Sequence, residues 1–67
     1  IQGRVYINFV IEKNGSISNV DVVRGVDPLL DDEAVRVVKT LPKMTPAKQR
    51  GKAVRMSFTL PINAKLQ

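Results

Sequence analysis

The stretch VRMSFTLPIN, residues 54–63, alternates apolar and polar side chains as a half-buried β-strand does, and it carries Pro61 near its end. A proline has no backbone N–H to give, so a sheet holds it only on a side where no neighbouring strand waits. The chain must therefore fold with this strand at an edge. Backbone groups along a strand alternate between its two flanks, as side chains alternate between its two faces. With Pro61 turned to the empty flank, Arg55, Ser57 and Thr59 turn their backbone groups the same way. Val54, Met56, Phe58 and Leu60 then bond to the inner neighbour. Such an open ladder is either blunted by Arg55 and Pro61 alone or built to accept an extended peptide as an added strand, and the pattern by itself leaves both readings standing.

The rest of the chain supplies that neighbour. RVYINFVI places Val5, Ile7, Phe9 and Ile11 on one face and Arg4, Tyr6 and Asn8 on the other, the period of a strand. Glu12-Lys13-Asn14-Gly15 follows, and Asn-Gly favours turn positions that need positive φ, so a hairpin is predicted. In the returning strand SISNVDVVRG, Ile17 is apolar at an odd position and Val20 and Val22 at even ones. All three reach one core only if a β-bulge near Ser18-Asn19 absorbs a residue. In DPLLDDEAVRVVKTLP, Leu30, Ala34, Val37, Val38 and Leu41 recur at helical spacing. The helix starts either at Asp27 as cap with Pro28 in the first turn, or at Asp31 as cap, and ends by Pro42. Residues 42–52, PKMTPAKQRGK, have two prolines, a glycine, four basic residues and no apolar period, and read as a loop.

The order β-β-α-β, with one apolar face per strand and one apolar stripe on the helix, predicts an α+β fold. Its three-stranded antiparallel or mixed sheet carries the helix on one face. A right-handed crossover sets the third strand parallel to the second and beside the first, giving the order 2-1-3. Met56, Phe58 and Phe9 are expected in the core.

Sixty-seven residues make one small domain, 1–67. At roughly 0.05–0.15 kcal/mol per residue its net stability is about 3–10 kcal/mol. Without cysteine or histidine the chain has no thiol nucleophile, imidazole base or soft metal ligand, and no catalytic centre, cofactor or metal is predicted. Asp31, Asp32 and Glu33 diverge by about 100° per residue around a helix and read as charges at its positive end. The net charge of +5 favours an anionic partner. Lys48, Arg50 and Lys52 are read as a solvated basic loop that steers such a partner. Gly51-Lys52 lacks the glycine-rich turn into a helix that a P-loop requires. A nucleic-acid-binding module is the reading from another class, but only Tyr6 among the aromatics faces outward by parity, and base stacking needs more. Because the chain begins inside an apparent strand, it is expected to be a fragment of a longer protein whose targeting segments lie elsewhere.

Taken together, GRVYINFVIEKNGSISNVDVVRG, LLDDEAVRVVKTLP, PKMTPAKQRGKAV and SFTLPINAKLQ resemble the C-terminal domain of TonB energy transducers, in the form common in Bacteroidetes. The resemblance spans essentially the whole chain. It implies a periplasmic domain of a protein anchored in the inner membrane, which grips the TonB-box peptide of outer-membrane transporters by strand addition. It implies no bond chemistry, and coupling to proton-driven inner-membrane motor proteins through a missing N-terminal part. The implied peptide edge is Val54, Arg55, Met56, Ser57, Phe58, Thr59 and Leu60. A TonB-like domain of a membrane sensor or peptidase is the alternative within the same fold, and the open edge also permits a strand-exchanged homodimer. Where the family commonly has an aromatic, a glycine and an aromatic, this chain has Met44, Ala47 and Ala64.

Overall fold

The computed structural model of the chain describes residues 2–65. Two long strands, β1 (Gln2–Ile11) and β2 (Ile17–Arg24), are followed by helix α1 (Pro28–Lys39), two short strands, β3 (Ala47–Gln49) and β4 (Lys52–Val54), and a final long strand, β5 (Met56–Lys65). The three long strands form one antiparallel sheet in the order β2-β1-β5, with the helix against it. The α+β class and the 2-1-3 order expected from the sequence are those observed.

The hairpin between β1 and β2 closes through Gly15 N–H to the Glu12 carbonyl at 2.9 Å. Of the Asn-Gly pair only Gly15 takes positive φ, at 88°. A Cβ there would run into the Met44 carbonyl, and Met44 N–H donates to the Gly15 carbonyl at 2.9 Å. A glycine is thus required both by φ and by the close approach of the segment that follows the helix.

β2 is kinked twice. Between Asn8 and Val10 the register slips by one residue around Asn19, whose φ is 51°, which is the expected bulge. A second slip lies between Tyr6↔Arg24 and Ile7↔Val22. By contrast β5 pairs with β1 without a break from Gln2↔Lys65 to Ile11↔Met56.

Of the two candidate helix starts, Asp27 is the cap: its carboxylate accepts from Leu29 N–H at 3.0 Å, with Pro28 in the first turn. Asp31 accepts from Val26 N–H at 3.0 Å and so fastens the turn between β2 and the helix. The helix buries Leu30, Ala34 and Val38 on Val5, Ile7, Phe9, Ile11 and Ala64. Val5, Ile7, Phe9 and Ile11 of β1 are therefore core, as their alternation required.

Two expectations are corrected here. Residues 42–52 are not wholly a loop: β3 and β4 form a separate two-stranded hairpin, pairing Ala47↔Val54, Lys48↔Ala53 and Gln49↔Lys52. Its turn is Arg50-Gly51, with φ of 54° and 79°, a two-residue turn whose positive φ at both positions matches the twist of the strands. Three residues per strand are too few for an apolar period to show. Met56 and Phe58 are also not core: they are 45% and 39% exposed, and Leu60 is 38% exposed. Twelve helical residues reach about 18 Å, whereas ten strand residues reach about 31 Å. One short helix cannot roof the sheet, and the part left open is the first half of β5.

Candidate functional site

The open strand is β5. It hydrogen-bonds to β1 on one flank only, and none of the described strands lies on the other. Pro61 stands opposite Tyr6. Lacking an N–H, it fits only a pair that exchanges no backbone bonds, so the exchanging pairs are its neighbours in register: Val5↔Ile62, Ile7↔Leu60, Phe9↔Phe58 and Ile11↔Met56. It follows that Ser57, Thr59 and Asn63 aim their N–H and C=O groups at solvent, and Pro61 its C=O. The sheet's other edge, β2, is broken by its two bulges and offers no continuous ladder.

The two faces of β5 differ in chemistry. On the helix side Met56, Phe58 and Leu60 form an exposed apolar row, with the Phe58 ring centroid 6.3 Å from that of Phe9. On the far side Ser57 Oγ donates to Asn8 Oδ1 at 2.8 Å, and Arg4 Nε donates to Asn63 Oδ1 at 3.3 Å. A strand laid along this edge would find apolar contact on one face only.

Of the residues assigned to the edge from sequence, Met56 to Leu60 lie on β5 together. Val54 does not: it is in β4, paired with Ala47. Arg55 belongs to neither strand and joins the two. The uninterrupted alternation of residues 54–62 hid this break, because a one-residue joint leaves parity intact. Arg55 is instead fixed by its side chain. Its Nε and Nη2 donate to Glu12 Oε1 and Oε2 at 3.0 and 3.3 Å, and Ser18 Oγ donates to the same carboxylate. Three places are thereby tied at one end of the sheet: the residue that follows β1, the start of β2 and the approach to β5. Nothing in the sequence marked Glu12 for this, since it lies 43 residues from Arg55.

The Arg55 hydrogen bonds, and then that of Ser18, hold the Glu12 carboxyl below its ordinary value of 4.5. Because the folded value is the lower one, what this tie adds to stability is complete above the ordinary value and is lost as pH falls through the depressed one. The Glu12 carboxyl carbon should accordingly titrate in an NMR series at lower pH than in an unstructured peptide, and Arg55→Gln should return it toward the ordinary range. A midpoint indifferent to that substitution would dissolve the clamp.

Lys48, Arg50 and Lys52, the steering residues assigned from sequence, are all exposed and lie together on the β3–β4 hairpin. Neither of the two ion pairs among the described residues, Arg36–Glu33 and Arg55–Glu12, involves them. Among the described residues no three carboxylates converge as a metal site.

Against models of protein families, residues 1–66 match the one described as Gram-negative bacterial TonB protein C-terminal. No curated protein and no solved structure gives a significant match.

Proposed function

Because the chain belongs to the Gram-negative bacterial TonB protein C-terminal family, a family of non-catalytic protein-interaction domains, we propose that it grips the TonB-box peptide of an outer-membrane transporter as an added strand on β5. Domains of this family are periplasmic parts of membrane-anchored proteins that interact with such transporters in general. No helix among the described residues is long and apolar enough to cross a membrane. The narrower reading is that the grip transmits force from the inner-membrane motor for active uptake. One observation carries the peptide assignment: β5 keeps an unbroken register on β1 while no described strand pairs with its other flank and its apolar row is exposed. Main-chain bonds at about 1 kcal/mol each give moderate affinity, and contact with Met56, Phe58 and Leu60 adds to it.

Titrating the isotope-labelled chain with a TonB-box peptide should shift and protect the Ser57 and Thr59 amides while leaving those of β2 in place. Shifts confined to β2 or to the helix would refute the assignment. Two copies of the chain can satisfy the same edge by pairing or exchanging strands, so peptide and self-association should compete, and dilution should favour the peptide.

A further inference from the structure

All six acidic residues lie between Glu12 and Glu33; from Ala34 to Gln67 there are eight basic residues and none acidic. Within that half, the β3–β4 hairpin has no structural duty visible in its packing. β3 and β4 pack substantially only on each other, whereas the long strands and the helix pack together. The described part of the molecule is 44 Å along its longest axis. A ten-pair ladder accounts for about 31 Å of that. The hairpin joins β5 through Arg55 alone, and Lys52 is four residues from Met56, so its backbone lies no more than about 14 Å away. Its cations thus stand just past the Met56 end of the open edge.

From this we infer that the hairpin is a second subsite, continuous with the edge, which takes an acidic flank of the bound peptide. The inference rests on the strand-addition reading and extends it beyond the paired residues. An added strand of about five residues is used up between Leu60 and Met56. The next about four residues, at about 3.4 Å each, run alongside Arg55 and the hairpin. Arg55 already has its charge paired with Glu12 through Nε and Nη2, whereas Lys48, Arg50 and Lys52 are in neither ion pair among the described residues and are the cations left to meet the newcomer. The hairpin's exposed tip is Gln49, Arg50, Gly51 and Lys52, with no aromatic or large apolar side chain. It suits carboxylates in an extended, solvated chain and has no large apolar side chain to insert into an apolar surface.

The direction of the peptide decides which of its ends carries the flank. The experiment uses three synthetic peptides: a TonB-box heptapeptide alone, the same with four aspartates on its N-terminal side, and the same with four on its C-terminal side. Affinity is measured by fluorescence anisotropy at low salt and at 1 M salt, for the chain and for its Lys48→Gln, Arg50→Gln, Lys52→Gln triple variant. One of the two flanked peptides should bind about tenfold more tightly than the unflanked one at low salt. That gain should vanish in the triple variant and at 1 M salt, where screening acts within about 3 Å. Equal gains from both flanks would mean general attraction by a cationic domain and would overturn the subsite, as would no gain from either. If the unflanked peptide leaves Ser57 and Thr59 unperturbed, the strand-addition reading falls and takes the subsite with it. If it binds there and the flanks change nothing, only the subsite falls.

Discussion

Thr59→Pro should leave the domain folded and weaken peptide binding about 30-fold, whereas Leu60→Pro, one residue on, should unfold it. The contrast follows from the parity that Pro61 imposes. Thr59 N–H faces solvent in the free domain, so removing it breaks no bond to β1, and an edge strand accommodates a proline turned outward. An incoming strand then loses one donor and keeps a carbonyl unmet beside the ring, about 2 kcal/mol in all. Leu60 N–H instead serves the Ile7 carbonyl in the middle of the ladder. An orphaned buried carbonyl costs about 1–3 kcal/mol, and the ring would also be driven into the neighbouring strand. Set against a net stability of about 3–10 kcal/mol, that is enough to populate the unfolded chain. Circular dichroism melts with peptide titration of both variants check the pair. A Thr59→Pro chain that melts normally and binds normally would show that the outward flank is not the binding flank.

The largest purely structural loss is expected at Leu30. It is fully buried in the first turn of the helix, where truncation to alanine removes its packing and leaves a hole that a single short helix cannot collapse to fill. Leu30→Ala should cost about 2–5 kcal/mol, which for a domain of this size lowers Tm by roughly 10–30 °C. Leu29→Ala, at the adjacent residue, should change stability by less than about 0.5 kcal/mol, because Leu29 is 63% exposed. Thermal melts of the two would check whether the helix presents the face described; comparable losses would mean that it does not.

What the sequence reveals depends on how local the governing interaction is. The alternation of β1, the Gly15 turn and the bulge at Asn19 are each decided within a few residues, and each is found where the sequence puts it. The edge position of the last strand is legible for the same reason, since one proline reports on the strand's own flank. The exposure of Phe58 is different. It depends on how much of the sheet a twelve-residue helix can cover, and an apolar face exposed to solvent has the same alternation as a buried one. The Glu12–Arg55 tie depends on a register set across 43 residues. The small hairpin is local too: Arg50-Gly51 between Ala47 and Val54 is a turn signal, masked by the prolines and lysines around it.

The unbroken β1–β5 ladder also matters for how the molecule behaves under tension. A pull along the strand axis, applied through a segment zipped onto β5, loads every rung from Met56 to Lys65 at once in shear, because β1 opposes the whole length of β5. A pull at right angles would peel the rungs one after another. A joint built this way can be modest at equilibrium and still hard to rupture, provided the tug comes lengthwise.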